Sequence, residues 1–174
     1  MQNRSGLTQI IEVSNKIGYL FEMASGTFCV LLFSAMIVVT LLGVFFRYIM
    51  RNPFEWTEEL ARFLLLWMSF LAINIALRKR EHIRIKFLTE KMPEKISKVL
   101  DYFVDLLIGF FLIVLIKQGY LMATRTLLTT GTLGVTMFWP YLAVPLGAFL
   151  TFLQLILNMT KKIILEFGPI SREI

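Results

Sequence analysis

The sequence predicts an all-α integral membrane protein with four transmembrane helices, chiefly because of how its charges are distributed. Four long stretches contain no Asp, Glu, Lys or Arg: residues 23–46, 63–77, 106–116 and 126–160. Eight of the eighteen Lys and Arg residues fall instead within residues 78–98. Spanning helices need about 20 mostly apolar residues, and cytoplasmic loops collect Lys and Arg. A bilayer therefore explains both features, whereas a soluble domain explains neither.

Composition and charge exclude several other classes of protein. Hydrophobic residues make up 57% and charged residues 17% of the chain, whereas soluble domains carry about 25% charged residues. The net charge of +6 lies in connectors that flank the membrane, so we expect it to face anionic membrane lipids and not nucleic acid. One Cys and one His allow no intramolecular disulfide and argue against a metal or haem site. With no motif for nucleophilic catalysis or phosphate binding, we expect neither a cofactor nor enzyme activity.

We expect one membrane domain over residues 1–174, with spans at about 20–46, 56–77, 99–119 and 138–159. The first helix should run from about Tyr19 to Tyr48. Its 24 uncharged positions exceed the about 7–15 apolar residues of a secretory signal, so this helix should be retained. Glu22 near its start lies either at the depth of the lipid headgroups or inside the span as a proton-carrying carboxylate.

A tight connector should join the first two helices. Asn52 is a good N-cap residue, Pro53 suits the first helical position, and Glu55 can reach back to the cap. This pattern predicts that the second helix begins at Pro53, ahead of its apolar stretch, and continues to about Leu77.

The main candidate interface consists of five residues around this connector: Arg47, Trp56, Glu58, Glu59 and Arg62. Glu58 and Arg62 lie four positions apart on a helix and can pair. If these charges are buried, they form a salt-bridge network between helices or subunits, and removing one partner costs about 3–5 kcal/mol. If they are exposed, they are a helix start whose carboxylates favour the helix dipole. Residue chemistry alone favours neither interpretation. We predict burial between helices or against a second subunit, because the most distinctive motif of the chain falls here and the chain has no substrate site.

A basic connector follows, and its candidate residues are Arg78, Arg80, His82, Arg84 and Lys86. The apolar residues between them share one helical face, which is typical of a short amphipathic helix on the membrane surface. Alternation of apolar and polar residues over 82–87 fits an extended segment equally well. We expect His82 to be a surface or interface residue.

The third helix is expected over about residues 95–120 and the fourth over about residues 138–159. Asp101 and Asp105 lie on one face of the third helix. They form either a cation or proton site or a helix start that is salt-bridged to nearby lysines.

Residues 124–136, rich in Thr and Gly, form a re-entrant segment, a segment covered by protein, or an ordinary loop. In the fourth helix we expect Trp139 to be an interfacial anchor. Pro145 should kink the helix or end a first turn, and Lys161 and Lys162 should end the helix.

The distribution of Lys and Arg also predicts the orientation. With both termini in the cytoplasm, the cytoplasmic segments carry thirteen Lys and Arg residues and the opposite connectors carry four. Because positive charge accumulates on the cytoplasmic side, we expect both termini and the basic connector to be cytoplasmic.

Six short motifs together form a recognisable pattern: Phe46-Arg47-Tyr48, Trp56-Thr57-Glu58-Glu59-Leu60-Ala61-Arg62, Ala76-Leu77-Arg78, Glu81-His82-Ile83-Arg84, Trp139-Pro140-Tyr141 and Pro145-Leu146-Gly147. From its first helix to its last, the chain resembles the small, DctQ-like membrane subunit of tripartite ATP-independent periplasmic (TRAP) transporters. One position departs from the family, because Lys86 stands where an aspartate often follows the Glu-His-Ile-Arg segment.

The resemblance implies a multi-pass protein of the bacterial or archaeal inner membrane that has no substrate pore of its own. Its implied partners are a large permease subunit driven by a sodium gradient and a periplasmic substrate-binding protein that captures organic acids, typically carboxylates. Two other functions are a small self-sufficient four-helix proton-coupled transporter, for which Glu22 is the candidate residue, and a membrane anchor for another complex.

The predicted orientation can be tested by cysteine labelling in intact cells. After Cys29 is replaced, a cysteine at position 90 should resist a membrane-impermeant thiol reagent, because the basic connector is expected in the cytoplasm. A cysteine at position 130 should react from outside if its loop is open. Labelling of position 90 from outside would contradict the orientation.

Overall fold

A computed structural model describes residues 2–79 and 94–167, which form four long helices joined in pairs by two short connectors. The helices are α1 (Gln2–Tyr48), α2 (Trp56–Lys79), α3 (Glu94–Arg125) and α4 (Phe138–Phe167). Each is long and apolar enough to cross a bilayer, so the predicted fold class, an all-α protein with four membrane-spanning helices, is confirmed. Most of the basic connector, residues 80–93, lies outside the described residues, and the structure therefore does not test its predicted amphipathic helix.

Three helices extend further than the charge pattern predicted. Helix α1 begins at Gln2, α3 continues to Arg125, and α4 passes Lys161 and Lys162 before it ends at Phe167. Charged residues limit the part of a helix that lies in hydrocarbon, but they do not limit the helix itself. Lys and Arg are good helix formers in water or at the headgroups, so the predicted helix ends were wrong at these sites.

The predicted start of α2 at Pro53 is also wrong, because Asn52 completes the end of α1. Arg51 has a positive φ of 52°, which turns the chain so that the backbone N–H of Asn52 donates to the carbonyl oxygen of Phe46 at 3.1 Å. Helix α2 begins three residues after Pro53, at Trp56. The hydroxyl of Thr57 donates to the carbonyl of Phe54 at 2.7 Å, within the turn that leads into the helix.

Helix α4 lies at the centre of the packing. It packs against both α2 and α3 and makes a smaller contact with α1, while α1 packs mainly on α2. Its buried residues include Ala143, Ala148, Thr151, Gln154 and Leu155. Large apolar side chains on the outer faces of α1 and α3 remain exposed, among them Phe28, Phe33, Phe103 and Phe110. These faces are suited to lipid or to another membrane subunit.

Small residues let the helices approach closely. A Cβ atom added to Gly43 of α1 would lie 2.7 Å from the Thr57 hydroxyl, and one added to Gly119 of α3 would lie 3.0 Å from the ring of Pro145. Helix α4 continues through Pro145 and does not end there. Close backbone approach is the usual basis of helix association in membranes, where lipid and side chains are equally apolar.

Gly147 provides a test of this packing. A methyl group at Gly147 would lie 2.5 Å from Cβ of Phe70 and 3.0 Å from its carbonyl oxygen, and a helix backbone cannot move aside as a flexible side chain can. We expect Gly147→Ala to separate α2 from α4 and to destabilise the protein by about 1–3 kcal/mol. Thermal unfolding in lipid nanodiscs, followed by Trp fluorescence, measures the change.

The matched control is Gly26→Ala in α1. A Cβ atom at Gly26 meets nothing within 4 Å, and alanine favours a helix more than glycine does. Equal unfolding temperatures for the two variants would contradict the packing of α2 on α4.

Candidate functional site: paired charges at the helix ends

The charged residues of the described chain lie outside the long uncharged stretches of the helices. We call the end where α1 turns into α2 and α3 turns into α4 the hairpin end, and the other end the terminal end. No charged residue falls within residues 23–46, 63–77 or 126–160. Charge is therefore kept away from the depth at which burial in hydrocarbon costs most.

At the hairpin end, an ion pair joins α1 to α2. The guanidinium of Arg47 donates to the carboxylate of Glu58. Arg62, predicted to pair with that carboxylate, instead donates from Nε to the backbone carbonyl of Glu58 at 3.2 Å. The side chains of Arg47 and Glu58 are 52% and 57% exposed, so within this chain the pair contributes only about 0–1 kcal/mol.

Aromatic rings lie beside this pair. The ring of Phe54 stacks on that of Trp56 with centroids 5.9 Å apart, and it also contacts Phe46 at 4.3 Å. The predicted site residue Trp56 therefore belongs to an aromatic row that covers the turn between α1 and α2. Amphipathic rings of this kind are enriched where the bilayer meets water.

Glu59 holds the loop between α3 and α4. Its carboxylate accepts hydrogen bonds from the backbone N–H groups of Gly131, Thr132 and Leu133, each at 3.2 Å, and from the hydroxyl of Thr132. A carboxylate with four donors is fixed in position, and so is the turn that supplies them. We call this contact the Glu59 clasp.

The loop that the clasp holds is ordered by its own hydrogen bonds. The backbone N–H of Thr130 donates to the carbonyl of Val135 at 2.7 Å, and the N–H of Val135 donates to the hydroxyl of Thr130 at 2.8 Å. Thr129 and Thr136 form an isolated antiparallel bridge, and Gly134 has a positive φ of 64°. Residues 126–137 thus form a compact loop that is held against the start of α2 by Glu59.

At the terminal end, Glu22 of α1 pairs with Arg78 of α2, with Oε2 and Nε 2.9 Å apart. The guanidinium carbon of Arg78 also lies 5.9 Å from the centroid of the Tyr19 ring. Both charged side chains are mostly buried, at 27% exposed for Glu22 and 21% for Arg78. Neither predicted alternative for Glu22 included this partner.

A second ion pair at the terminal end joins α3 to α4. Nζ of Lys162 lies 3.1 Å from Asp105 and 3.9 Å from Asp101, and 4.2 Å from the centroid of the Tyr102 ring. The two aspartates therefore face a lysine of α4. This arrangement resembles the predicted salt-bridged helix start more than a cation site, although the lysine comes from a different helix.

The other predicted residues are placed only in part. Of the basic connector, Arg78 is described, whereas Arg80, His82, Arg84 and Lys86 lie outside the described residues. Within residues 2–79 and 94–167, no group of three or more His, Cys, Asp or Glu side chains could hold a metal ion.

Sequence reasoning missed the Glu59 clasp and the pair of Glu22 with Arg78. The clasp joins residues more than 70 positions apart, too far for a local pattern to reveal. One signal was available, because a Thr- and Gly-rich loop presents backbone N–H groups that need acceptors.

Comparison with known proteins identifies the family. Residues 36–164 match the DctQ component of the tripartite ATP-independent periplasmic transporters. The chain is 32% identical over 136 residues to the sialic acid TRAP transporter small permease protein SiaQ of Vibrio cholerae, a match that covers 75% of this chain and 78% of that protein.

The chain also matches part of longer permeases. It is 33% identical over 145 residues to the sialic acid TRAP transporter permease protein SiaT of Haemophilus influenzae, covering 83% of this chain but only 23% of that protein. It is 25% identical over 111 residues to the isethionate TRAP transporter permease protein DctMQ of Oleidesulfovibrio alaskensis, covering 62% of this chain and 18% of that protein.

These matches confirm the predicted family and, with the four apolar helices, a multi-pass protein of the bacterial inner membrane that is a transport component and not an enzyme. The chain belongs to the DctQ component family of the tripartite ATP-independent periplasmic transporters.

Proposed function

We propose that this chain is the small accessory permease subunit of a binding-protein-dependent TRAP transporter, and that it acts as a scaffold and not as a carrier. Its partners are a large permease subunit, which moves the substrate, and a periplasmic substrate-binding protein. The transported substrates are organic acids, chiefly carboxylates, and a sodium gradient drives their import.

The continuity of the four helices supports a scaffold most directly. Secondary transporters commonly bind their substrates near mid-membrane, where interrupted helices expose backbone groups. Helices α1 to α4 are each continuous over the apolar stretches that they contain, and these stretches carry no charge. The charged groups instead join neighbouring helices outside these stretches, as expected of a frame and not of a substrate path.

The exposed apolar faces of α1 and α3 are consistent with a partner inside the membrane. The length of the relatives supports a large permease as that partner. In the Haemophilus influenzae protein SiaT, the match accounts for 23% of the polypeptide, so the similar region is covalently joined to a much larger permease there. A permease region of this kind is therefore the partner that we propose for the four helices described here.

The pairing of Glu22 argues against a self-sufficient proton carrier. Its carboxylate lies 2.9 Å from the guanidinium of Arg78 on the neighbouring helix, so it already serves as a contact between two helices. The pair is better suited to fastening α1 to α2.

The proposed interface can be tested by alanine substitution at the hairpin end. If the large permease covers Arg47 and Glu59, then Arg47→Ala and Glu59→Ala should lower both the recovery of the two-subunit complex by co-purification and substrate uptake. Substrate preference should not change, because these residues do not contact substrate. Since Arg47 pairs with Glu58, the swap Arg47→Glu with Glu58→Arg should recover part of the loss.

Glu55→Ala is the matched control, because Glu55 is an exposed carboxylate of the same connector. We expect the Glu55→Ala variant to assemble normally. Normal assembly and uptake by both test variants would show that the hairpin end is a solvated helix start. A changed substrate preference with intact assembly would place these residues on the substrate path.

The Glu59 clasp makes a separate local prediction. Glu59→Ala removes the acceptor for the N–H groups of Gly131, Thr132 and Leu133, so hydrogen–deuterium exchange at these amides should become several-fold faster than in wild type. Exchange within α4 should not change. Unaltered exchange at all three amides would mean that the clasp does not order the loop in the membrane.

A further inference from the structure

Polar side chains from three helices lie near the terminal end, and two of them, Arg78 and Gln154, meet beside Gly18. This group, the α1–α2–α4 polar cluster, consists of Gly18, Glu22 and Ser25 on α1, Asn74 and Arg78 on α2, and Gln154 and Asn158 on α4. On each helix the members are three, four or seven positions apart, so they lie on one face. The cluster is independent of the proposed interface at the hairpin end.

Two of the three amide side chains in the cluster are buried, and each of these two has an oxygen that lacks a hydrogen-bond donor. Asn74 and Gln154 are each 2% exposed. Nδ2 of Asn74 donates to the hydroxyl of Ser25 at 3.0 Å, and Nε2 of Gln154 donates to Oδ1 of Asn158 at 3.0 Å. The oxygens Oδ1 of Asn74 and Oε1 of Gln154 are buried and accept no hydrogen bond from any group in the described part of the chain.

Arg78 adds a hydrogen-bond donor that lacks an acceptor. Its Nε is used in the pair with Glu22, but its Nη1 is buried and has no acceptor among the described residues. Most buried polar atoms in proteins have a partner, and unpaired atoms are costly in a low-dielectric interior. Two acceptors and one donor within a single cluster therefore require explanation.

Gly18 brings the arginine and the glutamine together. A Cβ atom at Gly18 would lie 2.6 Å from Nη1 of Arg78 and 3.2 Å from Nε2 of Gln154. Both side chains thus end at the same point against the α1 backbone, a point that only glycine leaves open. The unpaired donor of Arg78 is consequently a neighbour of the Gln154 amide group.

We propose that the α1–α2–α4 polar cluster is a binding site for ordered water within the membrane domain. Water accepts a hydrogen bond from Nη1 of Arg78 and donates one to Oε1 of Gln154, and the same water or one bonded to it donates to Oδ1 of Asn74. A buried water typically makes about 2–4 hydrogen bonds to otherwise unsatisfied groups, which the three atoms can supply.

The mixed chemistry of the three atoms distinguishes water from an ion. A sodium ion would be coordinated by the two amide oxygens, but it cannot accept a hydrogen bond, and it is repelled by the guanidinium beside it. An anion would accept from Arg78 but would face two carbonyl oxygens. Only a molecule that both donates and accepts satisfies all three atoms, and water is the smallest one.

Whether Gln154→Leu raises or lowers the unfolding temperature tests this proposal. If Oε1 of Gln154 is unpaired, Gln154→Leu removes a buried unsatisfied group and should leave the unfolding temperature of the full-length chain unchanged or raise it. If water links Gln154 to Arg78, the same change strands the guanidinium. We then expect the unfolding temperature in lipid nanodiscs to fall by roughly 2–10 °C.

Two controls isolate the effect. Thr151→Val is a polar-to-apolar change at another buried position of α4, where the hydroxyl donates only to the carbonyl of Gly147 in its own helix, at 2.8 Å, so it should be nearly neutral. Asn158→Ala breaks only the hydrogen bond between Gln154 and Asn158. It therefore measures how much of the fall in unfolding temperature comes from the loss of that bond. The fall for Gln154→Leu should exceed that for Asn158→Ala.

A density map that resolves ordered water gives the direct readout. Water density within hydrogen-bond distance of at least two of the three atoms, together with destabilisation by Gln154→Leu, supports the proposal. A map in which Arg78 donates directly to the Gln154 oxygen overturns it, as does a neutral or stabilising Gln154→Leu. The unfolding temperature should also be compared in sodium chloride and in choline chloride at equal ionic strength. If sodium chloride stabilises the wild type but not Gln154→Leu, the site binds a cation, and the water proposal is overturned.

Discussion

The structure depends on one constraint, which is that hydrocarbon contains no water to solvate a charge or an unpaired polar group. The chain meets this constraint by keeping its charges outside the long uncharged stretches and by pairing many of them between helices. Arg47 with Glu58 and Glu22 with Arg78 join α1 to α2 at the two ends. The ion pair of Lys162 joins α4 to α3. Charges that could not remain inside a span therefore tie neighbouring spans together.

Between these charged ends the helices are held by close contact of small residues. Gly43, Gly119 and Gly147 each lie where a side chain would collide with a neighbouring helix. Van der Waals packing of this kind needs no hydrophobic driving force, so it works as well in lipid as in a soluble core. Because α4 contacts all three other helices, changes at its small residues should affect the whole frame.

The sequence predicted the features that follow from local composition. Uncharged runs located all four helices, and the Trp56–Arg62 motif indicated the family. The helix ends are harder to predict, because the charge of Lys162 predicts a stop although this residue lies inside α4 and pairs with Asp105. Asn52 satisfied the rules for an N-cap, yet its N–H completes the preceding helix. Local rules cannot decide between two neighbouring helices that compete for one residue.

Long-range polar contacts could not be read from the sequence at all. The Glu59 clasp and the Ser25–Asn74 bond each join residues that are far apart in the chain. Their formation depends on which helix faces meet, and four helices of similar apolar composition give no local signal for that choice. The sequence motif thus located the candidate interface, whereas its hydrogen bonds and ion pairs could be identified only from the packed structure.

The central claim is that this chain stabilises a transporter without carrying substrate, and uptake into proteoliposomes tests it most directly. Vesicles containing the chain alone, vesicles containing it with the large permease, and vesicles containing the permease alone should be compared, each with the binding protein loaded with a carboxylate outside and an inward sodium gradient. We predict sodium-dependent uptake only when both membrane subunits are present. Uptake by this chain alone, abolished by Glu22→Gln, would contradict the account and identify a carrier.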